Sequence, residues 1–509
     1  MNHILKTTDN MDDFDRSLLA AVRPLDWSNP TPSGRYNLAV IGGGTAGLVT
    51  AAGAAGLGAK VALIEQRLLG GDCLNFGCVP SKALIGSSRI AAAARDSTEF
   101  GLDIPGGYRV DFSRVMERMR RIRSDLSVHD SAARFRDLGV DVFLGAGRFT
   151  GRDSIDVEGA TLRFQKAVIA TGARAATPAI PGIVDTEYHT NETIFSLTDL
   201  PARIGVLGAG PIGCELAQVF ARFGSRVILL QKADRILPRD DREAALIVER
   251  SLERDGIDII KNARVNSARR SDTAKSLAIT TDQGIREIEI DLILAGVGRL
   301  PNVEGLDLEA AGVAYDRNGV TVDDCLRTTN PRIYAAGDIC SKYQFTHAAD
   351  ATARVAIRNA LFWGRSRASS LVIPWCTYTD PEIAHVGLGE TDAKERGISI
   401  HTFIQEFSSV DRAVLDGETE GFVKVHVRAG RDEIVGATVV GRGAGELIGE
   451  LAAAIANRTG LVGLGGAIRP YPTRGEAIRK IADQYNRTRL TPIIKNILTR
   501  WLRTTRGFH

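Results

Sequence analysis

Two short apolar runs, each passing through a glycine-rich turn into a helix, constrain this chain more than any other feature. Leu38-Ala39-Val40-Ile41 runs into Gly42-Gly43-Gly44-Thr45-Ala46-Gly47 and an Ala/Gly-rich helix over 46–58. Ile204-Gly205-Val206-Leu207 runs into Gly208-Ala209-Gly210-Pro211-Ile212-Gly213. A strand that turns at once into a helix, admits a pyrophosphate to its backbone and packs that helix on a sheet has no room for a Cβ at three places. Gly42, Gly44 and Gly47 supply them in the first unit, Gly208, Gly210 and Gly213 in the second. The phosphate then meets a helix N-terminus, where free N–H groups point outward. A glycine turn alone is weak evidence; strand, glycines, helix and a following acid in order make a dinucleotide site. The chain is therefore expected to be α/β, with two nucleotide-binding units.

The strands that follow distinguish the two units. Val61-Ala62-Leu63-Ile64 ends in Glu65, placed to bind a ribose 2′-hydroxyl. Arg226-Val227-Ile228-Leu229-Leu230 is followed by Gln231 and Lys232 instead. A carboxylate there would repel a 2′-phosphate and a lysine attracts one, so NADPH is favoured over NADH as the ligand of the second unit. Arg235 and Arg239 are further candidates for that phosphate, with solvated surface charge as their bland alternative.

Composition narrows the class. In 509 residues, 44% are hydrophobic and 25% charged, which fits a folded globular protein and excludes a disordered one. A net charge of +3 is too even for nucleic acid to be the default partner. No apolar run reaches the length of a membrane span, and the aspartate-rich first twenty residues do not read as a Sec-type signal peptide. A cytoplasmic protein is expected. Six cysteines in such a chain are no secreted disulfide framework, so cysteines close together invite a redox or metal reading.

Two of them are close. The segment Gly70-Gly71-Asp72-Cys73-Leu74-Asn75-Phe76-Gly77-Cys78-Val79-Pro80-Ser81-Lys82 follows Glu65 directly. A zinc site would need a second ligand pair at workable spacing, and none is near. Two unrelated buried thiols would not be ringed by glycines beside a nucleotide site. A disulfide at a helix N-terminus, whose dipole lowers the pKa of one thiol, is the better reading. Cys214, Cys325, Cys340 and Cys376 read as small buried residues.

With these motifs the chain resembles the class I pyridine nucleotide–disulfide oxidoreductases, the flavoprotein family of dihydrolipoamide dehydrogenase, glutathione reductase and mercuric reductase. The resemblance runs from about residue 36 to 485. It includes Ala170-Thr171-Gly172, Gly298-Arg299-Leu300-Pro301-Asn302, Ile333-Tyr334-Ala335-Ala336-Gly337-Asp338 and Phe345-Thr346-His347-Ala348-Ala349-Asp350. It implies two Rossmann-like domains, one for FAD and one for NAD(P)H, plus a C-terminal α+β dimerisation domain, in a C2 homodimer. The implied segments are 1–35 as an N-terminal extension, 36–190 and 305–370 for FAD, 191–304 for NAD(P)H, 371–489 for dimerisation, and 490–509 as a basic amphipathic tail. Residues 27–34, rich in Pro, Ser and Gly, read as a linker.

The resemblance also assigns roles. FAD falls to Gly42, Gly44, Gly47, Glu65 and Asp338, and NAD(P)H to Gly208, Gly210, Gly213 and Lys232. Gly71, Asp72, Lys82, Thr171, Gly172, Gly298, Arg299 and Ala349 are further cofactor-binding positions, not divided between the two. Glu215 matches the acid paired with Lys82 beside the flavin. The implied relay takes a hydride from NADPH to the flavin and two electrons on to Cys73–Cys78. Cys78 is the flavin-side thiolate and Cys73 the interchange thiol that meets the acceptor. His347 is expected to be structural.

One position departs from the family pattern. Disulfide-reducing members carry a C-terminal His-Pro-Thr-x-x-Glu whose histidine moves protons at the partner's interchange thiol. Here the frame Pro472-Thr473 and Glu476 is present, but Tyr471 stands at the histidine. An unperturbed phenol ionises near pH 10, roughly three units above the useful range for a base. Mercuric reductases resemble this chain in having tyrosine there, and a soft metal ion needs thiolates rather than a proton shuttle. They also carry a C-terminal cysteine pair, which 490–509 lacks, and the chain has no N-terminal Cys-x-x-Cys module.

The expected function is thus an NADPH- and FAD-dependent, mercuric reductase-like oxidoreductase acting on a thiol, metal or quinone acceptor, with no resident metal. The alternatives are a dihydrolipoamide dehydrogenase-type disulfide reductase, a membrane-surface NADPH:quinone reductase, and a non-enzymatic redox sensor that uses the nucleotide sites as a switch. Two readings stay open for the tail. In Thr491–Arg503, Ile494, Ile497, Leu498, Trp501 and Leu502 share a face edged by Lys495, Arg500 and Arg503. Packing on its own dimer is preferred over a membrane-surface role, because most amphipathic helices cover a core.

Overall fold

The computed structural model describes residues 11–506 except 273 and 363. The chain forms two compact units, one of residues up to 234 with 255–371, the other of 235–254 with the chain from 372 onward.

The first unit is built on two sheets, a larger mixed one and a smaller parallel one. In the larger, Arg35–Ile41 lies between Val61–Glu65 and Ala160–Ile169, with Val140–Leu144 beyond one side. Ile333–Ala335 adds in parallel to Ala160–Ile169, and a meander of Gly147–Gly151 and Ser154–Val157 completes it. Leu38, Val40, Val61, Leu63 and Val168 bury one face against the helices Thr45–Gly56 and Thr346–Leu361. Tyr36, Ile64, Phe143, Phe149 and Phe164 fill the other. Burial on both faces is why these strands read as unbroken apolar runs. The smaller sheet, Asp258–Ile260, Arg226–Leu230, Arg203–Leu207 and Leu292–Ala295, is parallel throughout, with the helix Pro211–Phe223 packed on it.

Two expectations about segments need correcting. Residues 27–34 are not a free linker, and residues 13–22 of the N-terminal extension are not a loose appendage; residues 1–10 of it lie outside the described residues. The helix Asp13–Val22 puts Leu18 and Val22 into the main core, and its Asp12 and Asp15 pair with Arg120 and Arg123. Beyond it, the Trp27 indole donates to the Val142 carbonyl (3.1 Å), and Asn29 accepts from Leu144 N (2.8 Å). These bonds cover the exposed edge of Val140–Leu144, a site that would otherwise invite another strand.

The second correction concerns 235–254, expected within the NAD(P)H segment. Its helix Arg242–Arg254 belongs to the second unit. Lys424, almost fully buried, bonds Asp241 (2.7 Å) and Glu243 (2.6 Å); the Trp375 indole reaches Asp240 (2.9 Å), and Ser251 reaches the Asp380 carbonyl (2.6 Å). A buried ammonium requires such partners. The rest of this unit is a five-stranded antiparallel sheet, in the order Trp375–Thr377, Glu382–Gly387, Ile434–Gly441, Phe422–Arg428, Ile400–Glu406. Val423, Val425 and Val439 pack with Ile448 and Leu451 of Ala444–Ala456 and with Ile478 and Ile481 of Glu476–Arg489.

Candidate active site

The first glycine turn is cramped by its own backbone. Gly42 has φ +108°, and a Cβ there would lie 2.3 Å from the Ala170 carbonyl oxygen. A Cβ on Gly47 would lie 1.7 Å from the Gly42 oxygen. Gly44 caps the Thr45–Gly56 helix and faces Gly71 across the loop. Gly70 N donates to the Gly43 oxygen (2.8 Å), which holds the turn against the start of the cysteine segment. Glu65, at the strand end, accepts from Gly43 N and Arg67 N, both at 2.5 Å. Burial pushes its carboxyl above the usual range, and those two N–H groups pull it back.

Asp72 opens the cysteine segment and ties it to distant strands. It accepts from Asn191 (2.9 Å) and pairs with Arg299 (3.0 Å), whose guanidinium also faces Asp338 at 3.7 Å. Asp338 is raised to about 6, by burial first and the Asp72 charge besides, against the pull of Arg299. The buried Nε of Arg299 has no hydrogen-bond partner among the described residues. Thr171 and Asn302 exchange hydrogen bonds at 2.8 Å each, fixing the turn at Gly172 (φ +66°).

Cys73 sits in the short helix Gly71–Phe76, and Gly77 breaks the chain so that Cys78 begins the long helix Cys78–Arg95. The helix N-terminus therefore lies at the second sulfur, where it favours negative charge. The two thiols are strongly unequal. Cys78 is lowered to about 6, chiefly because the Cys73 thiol donates to it; the Thr346 hydroxyl (3.4 Å) and the Lys82 charge help, while burial and Glu215 oppose. Cys73 is pushed up by the same hydrogen bond and by burial. Lys82, one turn along, pairs with Glu215 at 2.8 Å, linking this helix to Pro211–Phe223.

The second glycine turn repeats the first. A Cβ on Gly208 (φ +96°) would meet the Gly296 oxygen at 2.6 Å, and one on Gly213 the Gly208 oxygen at 1.9 Å. Gly210, the N-cap of Pro211–Phe223, has nothing within 4 Å of such a Cβ, and neither has Gly298. Gln231 is buried with its Oε1 3.5 Å from Ala209 N, while Lys232 is exposed. Arg235 is committed elsewhere, donating to the Asp240 and Pro238 carbonyls within the second unit.

Apart from Arg235 and Arg239, the candidate residues up to Ala349 lie in the first unit; those two, Tyr471 and Glu476 lie in the second. Ala349 is buried in Thr346–Leu361, close to Gly337. His347 is exposed and stacks on Phe345. Tyr471 is 74% exposed and donates to Asp411 (2.9 Å), which holds its phenol above the ordinary value. Glu476 starts its helix with Oε1 3.4 Å from Arg479 and from Lys480. Of the remaining cysteines only Cys214 is fully buried. Thr346 as a thiol partner, Asn191 on Asp72, and the Arg67–Glu192 pair (2.8 Å) were not foreseen. Each is a contact between segments far apart in sequence, and the only local signal was Thr346 opening a helix.

The residues present suit a dinucleotide. Glycines without a Cβ leave backbone N–H groups open at two helix N-termini, an acid sits at the ribose position, and the buried Arg299 Nε, 3.7 Å from Asp338, has no hydrogen bond among the described residues. Together with an asymmetric thiol pair, this defines an FAD-dependent NAD(P)H oxidoreductase of the disulfide-reductase type. The comparisons agree. Residues 36–353 match the pyridine nucleotide-disulphide oxidoreductase family and residues 373–482 match its dimerisation domain. The chain belongs to that family. It is 33% identical over 455 residues to a mercuric reductase of Lysinibacillus sphaericus, covering 89% of this chain and 83% of the relative. It is 33% identical over 424 residues to a dihydrolipoyl dehydrogenase of Bacillus subtilis, covering 82% and 91%. Among solved structures it resembles the HOCl-induced flavoprotein disulfide reductase RclA of Escherichia coli, with TM-score 0.78, 28% identity, and coverage of 88% and 99%. No described helix is long and apolar enough to cross a membrane.

Proposed function

We propose that the chain is an NADPH-dependent reductase whose acceptor is a soft, thiolate-seeking metal ion, working as a C2 homodimer in the cytoplasm. Bound FAD supplies two-electron exchange between the nicotinamide and the sulfur pair. The protein's own part is to hold Cys78 as a thiolate and leave Cys73 to engage the acceptor. The opposed shifts of the two thiols support that division of roles. In this reading Gly42, Gly44, Gly47, Glu65, Gly71, Asp72, Thr171, Gly172, Asp338 and Ala349 hold FAD. Gly208, Gly210, Gly213, Gly298, Arg299 and Lys232 hold the nicotinamide nucleotide, and Lys82 with Glu215 holds the space between them.

The observation that carries the choice of acceptor is the Tyr471–Asp411 hydrogen bond. Turnover of an organic disulfide needs a proton delivered to the departing thiolate. A phenol whose pKa is raised by a carboxylate is a poor agent for that at neutral pH. A soft metal ion binds thiolates directly and needs no such proton. The kinship with mercuric reductases supports this reading, as does a solved Cu(II) complex of the E. coli reductase RclA. The retained Pro472-Thr473 and Glu476 favour dihydrolipoyl-type disulfide reduction as the second reading. The dimerisation domain supports the homodimer.

The deciding experiment is steady-state NADPH oxidation with Hg(II), Cu(II), lipoamide, glutathione disulfide and quinones in parallel. Fast metal-dependent oxidation with slow lipoamide turnover is expected. Fast lipoamide turnover would overturn the tyrosine argument.

A further inference from the structure

The helix Pro492–Thr505 starts without help from the rest of the chain. Thr491 caps it, accepting from Ile494 N (3.4 Å), and Pro492 occupies the first turn. None of its residues is buried. Among the described residues, its hydrogen bonds stay within its own segment. At 3.6 residues per turn, Ile493, Ile494, Ile497, Leu498, Trp501 and Leu502 fall on one half of the helix. Ile493, Ile497 and Trp501 are 72%, 60% and 62% exposed.

The other half carries Lys495, Arg500, Arg503 and Arg506, and Arg487 and Arg489 precede it. From 487 to 506 there is no Asp or Glu. These twenty residues thus hold six positive charges in a chain whose net charge is only +3. Lys495 and Arg500 border the apolar half, where long stems can lie along apolar surface while their charges reach outward. A second copy of the same helix would bring six like charges against six, with no acid on either to offset them.

We infer that this helix docks the protein flat on an anionic phospholipid surface, with Ile493, Ile497, Trp501 and Leu502 entering the headgroup boundary and the basic residues facing lipid phosphates. An apolar face bounded by cations, with a tryptophan within it, is the composition that partitions to that interface without spanning it. The inference is independent of the acceptor.

The test is flotation of the FAD-loaded, full-length protein with vesicles of phosphatidylcholine alone or of phosphatidylcholine and phosphatidylglycerol in equal parts. Binding to the anionic vesicles only, weakened by added salt, is expected. Ile497→Glu with Trp501→Glu, Arg500→Glu with Arg503→Glu, and deletion of 490–509 should each weaken it at least ~tenfold. Flavin content, oligomer mass and solution turnover of the same acceptor should not change. Failure to float with anionic vesicles overturns the inference, as does flotation that survives the charge reversals. Conversion of dimer to monomer by the deletion would also overturn it, by assigning the face to a second copy.

Discussion

Lys82 Nζ stands 2.8 Å from Glu215 Oε2, and the two side chains are unequally exposed, 35% for the lysine and 5% for the acid. The pair joins the helix that starts at Cys78 to the helix of the second glycine turn. The lysine charge also acts on Cys78, lowering its pKa. One ammonium thus serves both the assembly of the unit and its chemistry.

Lys82→Met should therefore have two effects. The carboxylate left behind is almost fully buried, so stability should fall by about 1–3 kcal/mol, below the range for a wholly buried pair because the lysine is partly solvated. The Cys78 pKa should rise at the same time. Chemical denaturation and thiol titration of one preparation check both; an unchanged unfolding midpoint would mean that the pair gives no net stabilisation.

Cys78 should react with iodoacetamide in the reduced enzyme along a single titration curve. Its pKa is depressed to about 6, so thiolate reactivity should be nearly full at pH 7 and should fall as pH drops through about 6. Thr346→Val removes one donor to that sulfur and Cys73→Ala removes the largest, so each should move the curve to higher pH, Cys73→Ala further. Mass spectrometry of alkylated peptides over a pH series reads the midpoint, and an order opposite to this would reject the assigned hydrogen bonds.

Local patterns in the sequence captured the turns and strands, because each follows from neighbours. Gly42 and Gly208 adopt positive φ, and Gly47 and Gly213 abut the carbonyls of Gly42 and Gly208. Glu65 ends its strand with one oxygen on Arg67 N, two residues on, although its other oxygen reaches back to Gly43 N in the first glycine turn. The Cys73–Cys78 spacing, interrupted by Gly77, was legible for the same reason. What stayed hidden depends on segments distant in sequence. Thr346 reaches Cys78 across 268 positions, and Asn191 reaches Asp72 across 119. Residues 27–34 look like a linker by composition, yet Trp27 and Asn29 find partners on a sheet edge that no local pattern announces. Likewise, the membership of 235–254 in the second unit turns on Lys424, a buried lysine between valines in its strand.

The second glycine turn separates two kinds of requirement. Gly213→Ala places a methyl 1.9 Å from the Gly208 oxygen, so the helix must shift even in the free protein. Gly210→Ala meets no protein atom within 4 Å, so any cost must come from the nucleotide. Gly210→Ala is expected to keep wild-type stability and flavin content while the KM for NADPH rises about tenfold or more, equivalent to about 1.4 kcal/mol. Gly213→Ala should lose stability as well. Thermal melts beside steady-state kinetics distinguish the two, and an unchanged KM in Gly210→Ala would remove this turn from the nucleotide site.

Lys232 is exposed beside a buried Gln231, which leaves its ammonium available to a 2′-phosphate. Lys232→Glu should lower kcat/KM for NADPH about tenfold, equivalent to about 1.4 kcal/mol, and leave NADH nearly untouched. The ratio of the two specificity constants, measured in one buffer, is the readout. Equal losses with both nucleotides would assign the lysine to something other than the phosphate.

Tyr471→His tests the acceptor argument directly. The tyrosine hydroxyl donates to Asp411, which keeps the phenol protonated across the neutral range. An imidazole at the same backbone position titrates near pH 6.5 when unperturbed, where it can both take and return a proton. If the missing proton transfer is what limits organic disulfides, lipoamide turnover should rise at least ~tenfold, within the usual range of general acid–base catalysis. The gain should appear as pH climbs through the imidazole pKa, while metal-dependent NADPH oxidation stays within about twofold. A variant that gains nothing on lipoamide, with flavin content intact, would show that the preference against disulfides lies in the shape of the acceptor site and not in the phenol.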